Sequence, residues 1–332
     1  MNTSINTRHT HSVQSLTSRA PRQAQFENVV IVTRRTDLEE LTARFNTAAQ
    51  ARFYLEHAGQ AFTPIENAHR RYHVALENVR HAVPKGLKSQ VIDRSFVPQF
   101  TFGEADLVIT VGPDGLVVNT AKYLHGQPIL AVNPDPEQID GVLLPYTARE
   151  IARALSATLE GEARVRPVSM AEARLTSGQR LLAFNDLFIG ARSHVSARYH
   201  LAQDAEGEDQ SSSGIIVSTG AGSTGWLQSV YAGAAGVVSA LGGQVTPPPN
   251  GGRLPWDADH LMFAVREPFP SKVTRATMVF GVVTREKPLV ITSHMADNGA
   301  IFSDGVEMDF AEFNAGATAT ITLADNQARL VA

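Results

Sequence analysis

The hydrophobic rhythm of the sequence changes part-way along, and this change constrains the fold more than any other feature. From ENVVIVTRR at residue 27 to about residue 155, β-branched runs alternate with stretches whose apolar residues recur at helical spacing. Leu38, Leu41, Phe45 and Ala48 share one face of a helix opened at Asp37, and Tyr72, Leu76, Val79 and Val83 share one face of another. SQVIDRSFV and ADLVITV read as further strands, a helix follows Gly115, and QPILAVN is a short strand. Strands alternating with helices predict an α/β domain over residues 28–155, with a doubly wound, mostly parallel sheet. From LLAFNDLFIG onward the pattern is period two: HVSARYHLA, GIIVSTG, HLMFAVRE, KPLVITS, GAIFS and ATITLA, separated by Gly, Pro and Asp-Gly turns. That predicts a mainly β, sandwich-like domain over residues 156–332, interrupted by one helix from Trp226 to Leu241, with the extreme C-terminus a candidate to pack back on the first domain.

The bulk numbers bound the function. A chain of 332 residues exceeds the usual single core, and 43% hydrophobic with 19% charged residues supplies a sizeable interior. The net charge of -4 gives no basic footprint for nucleic acid, and no run approaches the roughly 18 apolar residues of a membrane span. The absence of cysteine excludes disulfides, thiolate zinc sites and a cysteine nucleophile. Residues 1–27 read as a disordered tail on a cytoplasmic protein. Arg8, Arg19 and Arg22 with no acidic residue in the first 26 also fit a transit peptide, which would make the mitochondrial matrix the alternative location. His69, Arg70, Arg71 and His73 cluster basic groups at the start of the second helix, as a solvated face or a phosphate contact. The sequence assigns no metal ligand.

Three turns carry candidate chemistry. DLVITVGPDG ends an apolar strand in a tight turn with Asp114 at its tip, where a carboxylate serves as a helix cap, a base or a metal ligand. FNDLFIG sets Asn185 and Asp186 at a strand start, an amide and a carboxylate suited to ribose hydroxyls and a carboxamide, or to turn formation. SSGIIVSTGAGSTGW leads a strand into glycines and hydroxyls ahead of Trp226, a flat surface on which a base can stack. GAGSTG matches GxGxxG literally, but its setting among late β-strands argues against a Rossmann site.

In order and wording these segments resemble the NAD kinase family, its mitochondrial-type branch most closely. DLVITVGPDG stands where the family has a strand ending in GGDG, and AVNPDPEQIDGVLLP is similar to the branch's VNTDP segment. AFNDLFIG is similar to LNEVFIG, SSGIIVSTGAGSTGW to the SSG strand and its glycine- and hydroxyl-rich turn, and LMFAVREPFPSKV and FSDGVEMDFAEFNAGATATI to the closing β segments. The resemblance implies transfer of the γ-phosphoryl group of ATP to the adenosine ribose 2′-hydroxyl of NAD, with Mg2+ or another divalent cation, in a homodimer or homotetramer. It makes Asp114 the catalytic general base. It makes Gly112, Gly115, Asn185, Asp186, Ser213, Thr224, Gly225, Trp226 and Ser229 substrate-binding residues, with Asp186 replacing a glutamate and Trp226 a tyrosine. The chain leaves the pattern at Pro113, which has no N–H to donate, and at Leu116, where the family carries a hydroxyl. Those departures keep two alternatives open: a catalytically impaired NAD(P)-binding protein, and a related kinase acting on a lipid or sugar hydroxyl.

Overall fold

A computed structural model describes residues 26–332; the tail and transit-peptide expectations for residues 1–25 lie outside the described residues. Phe26 is already buried, so the chain joins the core two residues before its first strand. That strand, β1 (Asn28–Thr33), pairs in parallel with both β2 (Lys88–Asp93) and β3 (Asp106–Val111), and β3 pairs in parallel with β4 (Pro128–Asn133). The order β2-β1-β3-β4 continues through residues 328–331, parallel to β4, and residues 165–168, antiparallel to them. The C-terminus thus returns to the first sheet.

Both faces of β1, β3 and β4 are covered, which is why these strands are unbroken apolar runs rather than alternating ones. Val29 and Ile31 of β1 pack with residues of α3 (Thr63–Ala82) and α5 (Ile151–Leu159), while Val30 and Val32 pack with α4 (Asp114–Ala121). Local chemistry sets the boundaries. Thr36 and Glu39 form a reciprocal capping box at the start of α1 (Asp37–Phe45), and Asn46 ends that helix in the left-handed region at φ 64°. Thr47 then caps α2 (Ala48–His57), so Ala48, expected on the first helix, opens the second. RSFV, expected to extend β2, is a 3-10 turn instead, because the Asp93 carboxylate accepts from both the N–H and the hydroxyl of Ser95 and ends the strand locally.

Residues 146–147 also pair in parallel with β4, and the remaining strands form two antiparallel sheets of six. One contains residues 186–191, 215–218, 261–265, 280–283, 299–303 and 306–312; the other contains 171–175, 180–183, 197–203, 206–212, 289–293 and 318–323. Leu187, Ile189, Val217, Phe263 and Ile301 from the first meet Ala173, Tyr199, Leu201, Ile291 and Ile321 from the second in one closed core. This is the α/β sheet plus β-sandwich that the sequence predicts. The helix inserted in the β half is α6 (Trp226–Ala240). Among the described residues, no helix is long and apolar enough to cross a membrane.

Candidate active site

The sheet order creates a crevice. The chain leaves β1 toward one edge and β3 toward the other, so the carboxyl ends of these adjacent strands open onto a switch point, the usual ligand position in open α/β sheets. Asp114 stands there, one residue after Pro113, which occupies the N-cap position of α4 and makes no side-chain cap. The Asp114 carboxylate does not cap its own helix. Its Oδ2 accepts from Val142 N at 3.1 Å and its Oδ1 from Leu143 N at 2.9 Å, which aims it across the crevice mouth at the loop beyond β4. A side chain at Gly112 would place its Cβ 2.8 Å from Leu116 Cδ2, so it would have to displace the tip of the Leu116 side chain. Gly115 is exposed, with open space where a Cβ would stand. Leu116 is buried in the apolar cluster that also holds Val97 and Phe102.

Asn185 and Asp186 are held by a residue the sequence reading did not single out. The Asp304 carboxylate accepts from the backbone N–H groups of Phe184 (2.9 Å), Asn185 (2.7 Å) and Asp186 (3.2 Å), and its own N–H donates to the Asp186 carbonyl (3.0 Å). Asp304 and Gly305 both have positive φ, 55° and 70°, and make the two-residue turn between strands 299–303 and 306–312. Burial pushes the Asp304 carboxyl above its ordinary range, opposed by Lys122 and by the three N–H donors. Burial likewise pushes the Asp186 carboxyl up to about 7, with the Ser218 hydroxyl opposing and Asp304 adding to the shift. Asp186 Oδ1 is buried with no hydrogen-bond partner, a costly state that a bound donor would relieve.

The third turn is built onto the second. Asp186 pairs with Ser218 across adjacent strands, Thr219 N donates to the Asn185 carbonyl (2.9 Å), and the Thr219 hydroxyl donates to the Phe184 carbonyl (2.6 Å). A Cβ on Gly222 would lie 2.2 Å from the Asn185 carbonyl oxygen, and one on Gly220 would lie 1.8 Å from the Pro255 carbonyl oxygen. The glycines therefore serve backbone-to-backbone packing. Ser223 donates to the Gly220 carbonyl and accepts from Leu254 N, which ties the loop after α6 back onto the turn. Thr224, Gly225 and Trp226 remain exposed at the start of α6, and Ser229 lies one turn further along.

Trp226 stacks on Phe188, with ring centroids 5.6 Å apart, and the Arg266 guanidinium lies 5.4 Å from its centroid. Ser213 donates its N–H to the Arg266 carbonyl, so Ser213, Arg266 and Trp226 form one patch. The pairing of Ser213 with Arg266 depends on strand register, which one sequence does not display. The Asp114 helix is joined to this assembly at its far end. Lys122, almost fully buried, bonds Ser303 Oγ at 2.8 Å and Asp309 Oδ2 at 2.9 Å, and Tyr123 OH donates to the same Asp309 oxygen. A shared apolar cluster running from Val117 to Phe184, with Ala221 and Trp256 packed on it, underlies both halves.

The solved structures most informative about this arrangement are a yeast NADH kinase complexed with NADH and an NAD kinase from Archaeoglobus fulgidus in complex with ATP. The first aligns with a TM-score of 0.57 at 14% identity, covering 95% of this chain and 88% of that one. The second aligns with a TM-score of 0.53 at 17% identity, covering 92% and 93%. The fold is that of the NAD kinases. Sequence relatives carry the same names, as the motif resemblance implied. The chain is 26% identical over 226 residues to the protein named "Probable NADH kinase" of Oryza sativa subsp. japonica, covering 61% of this chain and 63% of that protein. It is 29% identical over 207 residues to NAD kinase 2, mitochondrial, of Homo sapiens, covering 47% of each. With the NAD kinase of Geobacter metallireducens it shares 32% identity over 133 residues, 38% of this chain and 46% of that one. The chain thus spans between about half and just under two thirds of these NAD and NADH kinases' own length. No protein-family model matches it.

Two outcomes follow from the geometry. Asp304→Ala strands three backbone donors and is expected to destabilise the fold by about 3 kcal/mol or more in urea unfolding; a loss under about 1 kcal/mol would remove Asp304 as the pin. Asp186 holds its proton in the folded protein at pH values where the unfolded chain has lost it. Stability is therefore full below the unfolded value of 3.8 and falls as pH rises toward about 7. In melting curves Asp186→Asn should match the wild type near pH 4 and melt higher than it at pH 8. Parallel curves at all pH values would contradict this assignment.

Proposed function

We propose that this chain is an NAD kinase, transferring the γ-phosphoryl group of ATP to the adenosine ribose 2′-hydroxyl of NAD to give NADP. One observation carries the reading. A carboxylate at the switch-point turn is aimed by two backbone N–H groups of the opposite loop rather than spent on capping its own helix. In the reaction the 2′-oxygen forms its bond to the γ-phosphorus, the bond from that phosphorus to the β,γ-bridging oxygen breaks, and ADP leaves. Asp114 takes the hydroxyl proton. Asn185, fixed by Asp304 and by the 219–222 turn, and Asp186 receive the acceptor's ribose and carboxamide groups. Thr224, Gly225 and Trp226, with Ser213 and Ser229 nearby, supply the surface for the rest of the dinucleotide. Gly112 and Gly115 leave room at the reacting end.

Among the described residues, no three His, Asp or Glu side chains with mutually close ligand atoms surround Asp114. The residues fit an ion held chiefly by ATP phosphates, with Asp114 as the available protein carboxylate, the habit of Mg2+ in phosphoryl-transfer sites. Such an ion supplies neutralisation of charge on the transferring group. Pro113 offers the donor no N–H and Leu116 no hydroxyl, so the donor side of this site rests on fewer protein groups than the acceptor side.

A homodimer or homotetramer is part of the same proposal. Helix α6 is apolar almost throughout, yet Leu227 is its one buried residue, and Val237 and Leu241 are 61% and 83% exposed. An apolar helix left in the open at the edge of a site marks an interface. We place the enzyme in the cytoplasm. Import of a fluorescent fusion of residues 1–26 into mitochondria would move it to the matrix.

Asp114→Asn is expected to lower kcat by about 10²–10⁴-fold, the usual worth of a general base, while NAD binding by calorimetry stays within about twofold. Unchanged turnover removes Asp114 from the mechanism. NAD binding without NADP formation by the wild type, with any phosphoryl donor, points to the impaired-binder alternative. In light scattering, Val237→Asp with Leu241→Asp should convert an oligomer to monomer; an unchanged mass would put the interface elsewhere.

A further inference from the structure

The His69 and His73 pair, read from sequence only as part of a basic helix face, meets a carboxylate. The two histidines lie one turn apart on α3 with their rings edge-on, 4.4 Å between centroids. Glu39 faces them from α1, and one ligand atom from each of Glu39, His69 and His73 lies within 4.8 Å of the other two. All three side chains are half-buried.

The cluster is held in place before any ion arrives. Glu39 is the third residue of the α1 capping box: its Oε2 accepts from Thr36 N at 2.7 Å and from Thr36 Oγ1 at 3.2 Å, which leaves Oε1 directed at His73 Nε2, 3.1 Å away. Thr36 Oγ1 also bonds His69 Nδ1 at 2.7 Å and so fixes that ring. A metal-ligand histidine usually has its ring oriented through a bond of this kind, and the carboxylate is likewise oriented by its neighbours.

We propose that Glu39, His69 and His73 form a binding site for a divalent transition-metal ion of the zinc class, clamping α1 to α3. Two imidazoles and one carboxylate suit Zn2+, Co2+ or Ni2+, whereas Mg2+ and Ca2+ prefer oxygen ligands. Helical spacing of four residues puts both rings on one face, and the third ligand comes from a different helix. An ion therefore cross-links two elements rather than decorating one. Three protein ligands leave a fourth position for water. The ion takes the place of the Glu39–His73 hydrogen bond in the ion-free protein. The clamp is structural and lies beside the candidate active site. Tyr72, next to His73, accepts a hydrogen bond from Arg34 N at the end of β1, and a Cβ on Gly112 would lie 3.7 Å from Arg34 Cγ. The site thus braces the β1 side of the crevice at whose β3 side Asp114 stands.

The test uses full-length protein stripped with a chelator and titrated with zinc chloride by calorimetry, with cobalt absorption as a second readout. The His9→Ala/His11→Ala variant serves as the background protein, because HTH at residues 9–11 offers zinc a separate pair. That variant should still bind one equivalent of zinc and melt higher with it. Adding His69→Gln and His73→Gln should weaken this binding by at least about 10–100-fold, the loss that even outer-shell changes cause, and abolish the melting shift. If the glutamine pair disturbs folding, Glu39→Gln decides. Glutamine keeps the capping box, so the ion-free melting temperature should hold while zinc affinity falls at least about tenfold. Equal zinc binding in background and variant proteins overturns the site, as does the absence of stoichiometric zinc binding by the background protein.

Discussion

Three backbone N–H groups converging on the Asp304 carboxylate are the contact on which the candidate site depends. They fix residues 184–186 where the α/β half meets the sandwich, and the neighbouring turn and helix are then referenced to that point. Thr219 bonds the carbonyls of Phe184 and Asn185, the glycines at 220 and 222 allow the next turn to lie against them, and α6 begins where that turn ends. On the other side, Ser303 and Asp309, on the strands flanking the Asp304 turn, receive Lys122 and Tyr123 from the far end of the Asp114 helix. A buried carboxylate is expensive to keep charged, and here three donors and a nearby lysine offset part of that cost. The return is position: residues 184–186 and the 219–222 turn pack against each other, and the far end of the Asp114 helix is tied to the strands beside them.

The crevice itself comes from topology. A parallel sheet whose connections diverge from two neighbouring strands must open between them, and β1 and β3 are those strands. The sandwich strand 186–191 begins beside the Asp304 turn, to whose flanking strands the far end of the Asp114 helix is bonded. The solved structures of an NADH kinase and an NAD kinase share this architecture.

Much of this was legible in the sequence, for a physical reason. Strands buried on both faces must be continuous β-branched runs, and those of a sandwich must alternate, so the change of rhythm after residue 155 gave the architecture directly. The turns around Asp114 and Trp226 were legible because tight strand-to-helix turns require glycine and small polar residues in fixed order. The sequence did not disclose Asp304 as the pin, since its bonds reach back 118 to 120 residues and its local signal is an ordinary Asp-Gly hairpin turn. Arg266 beside Trp226 was hidden for the same reason. The boundary errors at RSFV and at Ala48 were local: the Asp93 side chain and the left-handed Asn46 each stopped an element that its apolar pattern would have continued.

The central claim is that the two turns act as one site that phosphorylates the adenosine ribose of NAD. The most direct measurement is phosphorus NMR of a reaction of the purified protein with NAD, ATP and magnesium. ADP and a 2′-phosphomonoester of NAD are expected to appear together in equal amounts. ATP hydrolysis with no phosphorylated dinucleotide, or a phosphate placed on any other hydroxyl, would contradict it.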